Sequence, residues 1–189
     1  MNSIEIASES LSIWTAKVDP CEQINRRILE EFEAARQFWD FSHPVGGRWE
    51  NVYLPSGLAR NAVQYLEQLR MRAEKIVDHG LRLHHDPSQP EGNGWWFNQM
   101  GPGEKTGIHD HSDRAVLSAV YYLSAPIGAG KIVFHPEGAD PVKLTPVEGQ
   151  ALFFPPSLKH SVEENTSPET RVSLAFNLYR SEPGPRSLS

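Results

Sequence analysis

Three of the eight histidines in this chain stand where they could bind a metal ion. His109 and His111 are two residues apart in the segment HDHSD (109–113), and His160 follows a proline-containing turn. Side chains alternate between the faces of a β-strand, so on a strand His109, His111 and Asp113 share one face, with neighbouring Cα atoms ~7 Å apart. Side chains at that spacing reach a common ion, and the pattern therefore predicts a metal site.

The ligand types narrow the choice of metal. Two histidines and a carboxylate around open coordination positions are the set that non-haem Fe(II) oxygenases use. The alternative interpretation is that the segment is a solvent-facing strand with ordinary polar side chains. The other five histidines have no comparable partners and are interpreted as surface or structural residues: His43, His79, His84, His85 and His135.

A second group of polar residues lies close to the carboxyl end of the chain. On a strand, Arg171, Ser173 and Asn177 share one face, and the apolar residues between them share the other. An inward arginine beside a serine is expected where a strand lines a cavity that binds a carboxylate, because a guanidinium grips a carboxylate through two parallel hydrogen bonds. An exposed edge strand with a solvated arginine is the alternative.

The first half of the chain is predicted to be helical. A first helix begins at Asp19-Pro20-Cys21-Glu22, with Asp19 as N-cap and apolar residues at helical spacing as far as Trp39. A second helix begins near Ser56 and ends near Gly80. Two short strands, at residues 4–6 and 11–18, are predicted ahead of them.

From residue 95 onward the pattern changes to short β-rich runs separated by proline and glycine turns. Six short strands separated by such turns predict a sandwich, a jelly roll or a small barrel. The two helices would cover one face of the larger sheet. The six runs are WWFNQM, VLSAVYYLS, KIVFH, QALFFPP, KHSVEE and RVSLAFNLY.

Composition excludes several classes of function. With 39% hydrophobic and 22% charged residues, the 189-residue chain is typical of one globular domain. The formal net charge of -6 argues against broad nucleic-acid binding. Cys21 is the single cysteine, no signal peptide or membrane-spanning run is recognised, and a cytoplasmic location is expected.

Taken together, the motifs resemble the Fe(II)/2-oxoglutarate-dependent dioxygenase superfamily, in particular its small bacterial and phage oxygenases. The resemblance extends over residues 95–179, nearly half the chain, and the order and spacing of the motifs carry it. The matching positions are Asn98, Pro102-Gly103, His109-Asp110-His111, LSAVYYL (117–123), GKIVF (130–134), Thr145-Pro146, Gly149, ALFFP (151–155), His160 and RVSLAFN (171–177).

The resemblance implies a fold and a set of roles. The fold would be a double-stranded β-helix, that is, a cupin-like jelly roll, with the two N-terminal helices packed on one sheet. His160 would be the distal metal ligand, and Arg171, with Ser173 beside it, would bind the far carboxylate of 2-oxoglutarate. Tyr122 would add its hydroxyl to that carboxylate and Asn98 would contact the cosubstrate. A core tyrosine and a turn asparagine are the alternatives for these last two.

The proximal ligands depart from the superfamily pattern, which has His-x-Asp or His-x-Glu. Counting from Pro102-Gly103 places the first histidine at His109 and puts His111 at the carboxylate position. A shift by two residues gives the usual pair, His111 and Asp113. Spacing favours the first register and ligand chemistry the second, so both remain open.

The implied function is oxidation of a substrate, most simply hydroxylation of a small-molecule or amino-acid-like compound with O₂, releasing succinate and CO₂. No catalytic residue is expected beyond the metal ligands. A cupin-type metalloenzyme without 2-oxoglutarate and a non-catalytic ligand-binding barrel are the alternatives.

One domain (1–180) is expected, with helical support at 19–80, a metal-binding barrel core at 95–180 and a flexible tail at 181–189. Neither nucleic acid nor membrane is an expected partner, and no oligomeric state is predicted.

Overall fold

The computed structural model describes residues 4–17, 20–45, 48–84, 94–111 and 114–181. This part of the chain is mainly β, with two α-helices, as the sequence predicts. The helices are α1 (Glu22–Ala34) and α2 (Arg60–Ala73). The strands are β1 (Ile4–Ser8), β2 (Ile13–Lys17), β3 (Asp40–Val45), β4 (Arg48–Tyr53), β5 (Leu81–Leu83), β6 (Trp95–Met100), β7 (Thr106–His109), β8 (Leu117–Ser124), β9 (Ile132–Phe134), β10 (Val142–Leu144), β11 (Gln150–Phe154), β12 (His160–Val162) and β13 (Arg171–Arg180).

The strands form two antiparallel sheets. The large sheet has the order β1-β2-β11-β8-β13-β6-β4-β3, with β5 also paired to β13, and the small sheet has the order β10-β9-β12-β7. Residues from both sheets share one buried cluster, in which Tyr122 and Phe154 of the large sheet lie with Ile132 and Phe134 of the small sheet. The two sheets therefore face each other across an inner space.

Strict alternation along the central strands gives the large sheet two different faces. In β13, the side chains of Val172, Leu174, Phe176 and Leu178 enter the main apolar core, as do alternate residues of β8 and β6. The residues between them point to the inner space, because neighbouring side chains on a strand point to opposite faces. The face predicted for Arg171, Ser173 and Asn177 is thus the face that looks toward the small sheet.

Side chains of α1 and α2 belong to the same apolar core as the outer face of the large sheet. The ring of Phe32 is stacked between Trp39 and Phe97, with centroid distances of 4.3 and 4.2 Å. A polar contact fixes α1 on β8: the hydroxyl of Tyr121 donates to Oδ1 of Asn25 at 2.6 Å. Within the described residues, no helix is both long enough and apolar enough to cross a membrane.

The helical half differs from the prediction in its boundaries and in one added element. The first helix begins at Glu22, follows Cys21 without a side-chain cap, and ends at Ala34. Asp19, the predicted N-cap, lies outside the described residues. The second helix begins at Arg60, after a 3₁₀ turn at Ser56–Leu58, and ends at Ala73. The hairpin of β3 and β4 between the helices was not predicted, and it extends the large sheet beyond β6.

Candidate metal centre

The structure brings three of the predicted metal ligands together. His109, His111 and His160 each offer a ring nitrogen, and these atoms lie within 4.8 Å of one another. The ring centroids are 4.3 Å apart for His109 and His160, 5.1 Å for His109 and His111, and 5.2 Å for His111 and His160. Nitrogens at this separation can share one ion placed between them. Asp113, the other predicted ligand, lies outside the described residues.

The three histidines are positioned in two ways. His109 and His160 are direct cross-strand partners on β7 and β12, so the sheet register itself sets their spacing. His111 does not continue the strand, because β7 ends at His109. Its backbone N–H instead donates to the carbonyl of Pro156 at 2.8 Å, which ties it to the turn after β11. The prediction that alternation along a strand places His111 was therefore wrong in its mechanism, although His111 does reach the cluster.

Hydrogen bonds fix which ring nitrogen is available in two of the histidines. Nδ1 of His109 lies 3.0 Å from the carbonyl oxygen of Gly107, and Nδ1 of His160 lies 2.9 Å from that of Leu158. A carbonyl oxygen only accepts, so Nδ1 carries the proton and Nε2 keeps its lone pair. Such bonds to backbone carbonyls are how metal-binding histidines are usually oriented.

Burial keeps His160 neutral. Removal of the ring from water, together with the smaller effect of the neighbouring His109, lowers its pKa from the ordinary value of 6.5 to about 3. The aromatic rings of Phe154 and Phe134 pack against it, with centroids 4.8 and 6.1 Å away. A neutral imidazole is the form that binds a metal, so the environment of His160 suits a ligand.

The polar residues predicted for 2-oxoglutarate lie on the inner face of the large sheet. Ser173 of β13 has Tyr122 of β8 and Asn98 of β6 as its cross-strand partners, which places the three in one row. Arg171 stands two residues from Ser173 on the same strand face and is only 4% exposed. We call this row together with Arg171 the polar slot.

Two features of the polar slot suit an anion. The guanidinium carbon of Arg171 lies 5.1 Å from the ring centroid of Tyr122, so the cation is fixed against an aromatic face. The hydroxyl of Tyr122 is fully buried, and it has no hydrogen-bond partner among the described residues. Burial raises the pKa of this phenol, with Arg171 opposing the shift, so it stays a donor. A buried donor of this kind is costly unless a ligand satisfies it.

The amide nitrogen of Asn98 forms its hydrogen bonds with the neighbouring strand β4. Its amide nitrogen donates to the carbonyl of Glu50 at 3.0 Å and to Oδ1 of Asn51 at 3.1 Å. Both partners belong to β4, so Asn98 holds the unpredicted hairpin against β6. Its oxygen atom is the part of the amide that these two bonds leave for another group.

An aromatic wall adjoins the histidines on the β6 side. The ring of Trp96 lies 5.5 Å from that of His111, and the ring of Tyr53 on β4 lies 6.3 Å from Trp96. Sequence reasoning missed Tyr53 and Asn51 because it missed their hairpin. The dipeptide Gly46-Gly47, between two β-rich runs, is the signal that could have found it.

The remaining histidines play no part in the cluster, where their side chains are described. His79 contacts Asp78, His84 packs against Tyr179, and His135 is hydrogen-bonded to Ser161 at 2.8 Å. The side chains of His43 and His85 are outside the described set. The described metal-ligand group is thus confined to one end of the inner space.

Comparison with protein families gives one match. Residues 94–177, just under half of the chain, match the family described as "Putative 2OG-Fe(II) oxygenase". The match confirms the resemblance to the Fe(II)/2-oxoglutarate-dependent oxygenase superfamily. Fe(II) and 2-oxoglutarate, the predicted metal and cosubstrate, are those of the matched family. No curated protein matches the chain.

Solved structures show the same fold at low sequence identity. The carbocyclase SnoK from nogalamycin biosynthesis is 12% identical with a TM-score of 0.67, over 89% of this chain and 79% of SnoK. A Pseudomonas putida prolyl-4-hydroxylase is 17% identical with a TM-score of 0.65, over 92% and 95% of the two chains. The epimerase SnoN, solved with Fe³⁺, alpha-ketoglutarate and nogalamycin RO, is 15% identical with a TM-score of 0.67, over 90% and 79%.

Proposed function

From the family match we propose that this protein is an Fe(II)- and 2-oxoglutarate-dependent oxygenase. It would hydroxylate a small-molecule or amino-acid-like substrate with O₂ and release succinate and CO₂. We further propose one domain over residues 1–180, a double-stranded β-helix supported by the two helices on its large sheet. The observation that carries the proposal is a cluster of three histidines at one end of a space whose floor holds a buried arginine.

The histidine cluster fits the metal that the family implies. Imidazole nitrogens suit iron as well as zinc, copper and nickel. In His109 and His160 the nitrogen that faces away from the cluster is already bonded to a carbonyl, which leaves the other nitrogen for the ion. His109, His111 and His160 would hold Fe(II), with Asp113 as the open alternative to His109. Imidazole ligands carry no negative charge when they bind a metal, so the full charge of the ion would be available to an anionic cosubstrate.

The polar slot fits 2-oxoglutarate, which carries a carboxylate at each end. Arg171 would bind the far carboxylate through its two-pronged guanidinium, with the hydroxyls of Ser173 and Tyr122 as additional donors. Asn98 would line the slot beside the cosubstrate without donating to it, since its amide hydrogens are used by β4. The far carboxylate would also accept a hydrogen bond from the buried Tyr122 hydroxyl, which has no partner among the described residues, and this favours binding.

When bound, Fe(II) and 2-oxoglutarate together activate O₂, and the chain positions them and shields them from water. The rings of Phe134 and Phe154 pack on His160 and that of Trp96 packs on His111, and they would shield this side of the ion from water. Trp96 and Tyr53 form the wall next to His111. In this proposal a substrate would lie against that wall, beside the polar slot.

One observation favours a second candidate, a cupin-type metalloenzyme that does not use 2-oxoglutarate. The third described ligand is His111, where most of the superfamily places a carboxylate. A three-histidine site can serve other metal chemistry on the same barrel. The two candidates differ in whether Arg171 matters for binding a 2-oxo acid.

The test is titration of 2-oxoglutarate into the Fe(II)-loaded protein without O₂, followed by the weak visible band that the chelate gives. Arg171→Ala should keep iron and lose affinity for 2-oxoglutarate by ~30-fold or more, because leaving one partner of a buried charge pair alone costs about 2–5 kcal/mol. Arg171→Lys should recover only part of the loss, because an ammonium cannot form the two-pronged contact.

Arg82→Ala is the matched control, because Arg82 also lies over a tyrosine, Tyr179, at 5.6 Å, but its side chain is exposed. It should bind 2-oxoglutarate like the unchanged protein. Equal affinity in the Arg171 variants and the unchanged protein would favour the cupin-type enzyme. Succinate release in the presence of candidate substrates then identifies the reaction.

A further inference from the structure

The hairpin of β3 and β4 extends the inner face of the large sheet beyond the metal centre. Asn51 of β4 is the cross-strand partner of Asn98 on β6, and Tyr53, two residues further along β4, lies on the same face. The ring of Tyr53 lies 6.3 Å from that of Trp96, which in turn lies 5.5 Å from that of His111. Tyr53 is thus the second ring in a row that leads away from the histidines.

A chain of hydrogen bonds fixes the direction of the Tyr53 hydroxyl. The amide nitrogen of Asn98 donates to the carbonyl of Glu50, which can only accept, and it also donates to Oδ1 of Asn51 at 3.1 Å. The amide nitrogen of Asn51 therefore faces Tyr53 and donates to its hydroxyl oxygen at 3.3 Å. Because the oxygen accepts this bond, the hydrogen of the hydroxyl points away from Asn51 and is left to donate to another group.

The surroundings of this hydroxyl suit a ligand. Tyr53 is 5% exposed and Trp96 is 7% exposed, so bulk water has little access to the hydroxyl. Among the described residues, the bond from Asn51 is the one hydrogen bond that it forms. A donor in a place with little water favours an acceptor oxygen on a bound molecule.

The next residue in the row indicates the charge of that molecule. Asp40 of β3 is the direct cross-strand partner of Tyr53, so its side chain lies on the same face at the edge of the sheet. Asp40 is exposed, and its Oδ1 accepts a hydrogen bond from the backbone N–H of Phe41 at 2.9 Å. A carboxylate of a ligand would be repelled here, whereas a positively charged nitrogen would be attracted.

We propose that Tyr53 binds a neutral carbonyl oxygen of the substrate through its hydroxyl, that Asn51 is the positioning residue that turns this hydroxyl outward, and that Asp40 binds a positively charged nitrogen of the same molecule. This inference rests on the proposed function. The substrate class is an amide- or ester-type compound that carries an ammonium or guanidinium group, not a free carboxylic acid. The part of the molecule that lies on Trp96 would be the part nearest to the metal.

The test uses three matched probes that share two neutral amide carbonyls and differ in the charge at the end of one chain: the N-acetyl N-methylamides of lysine, norleucine and glutamate. Each is titrated by calorimetry, without O₂, into protein loaded with Fe(II) and 2-oxoglutarate. The lysine probe should bind best and the glutamate probe worst. Asp40→Asn should remove the advantage of the lysine probe and leave the affinity for the norleucine probe nearly unchanged, because only the charge is lost.

Tyr53→Phe should weaken the lysine and norleucine probes by the same factor, about 3–10-fold, the equivalent of one neutral hydrogen bond. Asn51→Asp should weaken the norleucine probe similarly although Tyr53 is unchanged, because a carboxylate accepts from the hydroxyl and turns its hydrogen inward. The double variant should then bind this probe no more weakly than Tyr53→Phe, an equivalence that a merely structural role would not produce. Tyr65→Phe is the matched control, since its hydroxyl is buried in the core shared with the helices, and it should bind all probes like the unchanged protein.

Four results would overturn the inference. Unchanged affinity in Tyr53→Phe would remove the hydroxyl from the substrate site, and this variant decides even if Asn51→Asp does not fold. Unchanged affinity in a folded Asn51→Asp would remove the positioning role. Equal affinity of the unchanged protein for the lysine and norleucine probes would remove Asp40, and no binding of any probe would overturn the substrate class.

The visible band of the iron chelate separates these results from a failure of the proposed function. Each variant should give the same band with 2-oxoglutarate as the unchanged protein, because none of the three residues holds the metal or the cosubstrate. If the unchanged protein binds iron but gives no band, both the proposed function and this inference fail.

Discussion

At the scale of single residues, the metal cluster depends on three imidazoles that reach one point from two strands and a loop. His109 and His160 face each other across β7 and β12, and His111 arrives from the segment that follows. The described cluster has three ligands without Asp113. Single substitutions that show which side chains metal binding requires will therefore identify the proximal ligands.

We expect His109→Ala, His111→Ala and His160→Ala each to abolish tight metal binding, because each removes one of three ligands. Asp113→Ala should keep it. Metal content and affinity, measured with Fe(II) or Co(II) under anaerobic conditions, check this. His135→Ala is the matched control, since His135 lies outside the cluster and bonds to Ser161. Loss of metal in Asp113→Ala with full binding in His109→Ala would give the other register.

The buried ring of His160 also predicts a pH dependence for the metal-free protein. Burial lowers its pKa from 6.5 to about 3 in the folded state, so between these values the unfolded chain binds the proton more readily. Stability should therefore fall as pH decreases from about 6.5 toward 3, with a limit of ~1.4 kcal/mol per pH unit.

Urea unfolding of the metal-free protein at several pH values between 7 and 4 measures this slope. His160→Gln should flatten it, because glutamine does not titrate. The same slope in both proteins would show that His160 is not the group responsible.

At the scale of elements, the sequence predicts strands better than connections. The six runs after residue 95 all contain strands, because their apolar and polar residues alternate with turn residues between them. β10, Val142–Leu144, was missed because Pro141 and Pro146 flank it, and prolines are typical of turns. The β3–β4 hairpin was missed because helical spacing on both sides drew the prediction toward helix, and its contribution to the site was missed with it.

The connection between β8 and β9 passes so close to the backbone after β12 that the addition of a single methyl group tests this contact. Gly130, between β8 and β9, has a φ of +78°, and a Cβ there would overlap the carbonyl oxygen of Glu163, which follows β12. Gly138 has a similar φ of +72°, but its surroundings are open. Comparison of Gly130 with Gly138 separates the effect of the left-handed backbone on stability from the effect of the close approach.

Gly138→Ala should lower the free energy of unfolding by about 1 kcal/mol, the strain of a left-handed alanine. Gly130→Ala should lower it by at least ~2 kcal/mol more, because the backbone of two connections must move apart. Chemical denaturation of both variants measures the difference. Equal losses would mean that the two connections do not pack as described.

At the scale of the whole molecule, a bound metal would join the two sheets at a second place besides the apolar cluster that they share. β7 and β12 belong to a sheet of four short strands, and His111 is tied to the turn after β11 on the large sheet. An ion bound by all three histidines would therefore link the two sheets at one end. Binding to the folded state alone stabilises that state by mass action.

We expect a divalent ion at ~100 times its dissociation constant to stabilise the protein by about 2.7 kcal/mol, or roughly 5–10 °C in melting temperature. A chelator should reverse the shift. Thermal unfolding with Co(II) or Zn(II) measures it. His111→Ala should show no shift and His135→Ala the full shift. A full shift in His111→Ala would place the ion elsewhere.

The two faces of β13 make the length of this strand matter more than most of its side chains. Val172, Leu174, Phe176 and Leu178 face the helices, whereas Arg171, Ser173 and Asn177 face the inner space. A single-residue insertion or deletion within the strand would exchange the two sets, since the side-chain period is two. The cation would then be driven into the apolar core, and bulky side chains would fill the cosubstrate space. Lineages of this fold should accordingly accept exchanges of residue type along β13 far more readily than any change in its number of residues.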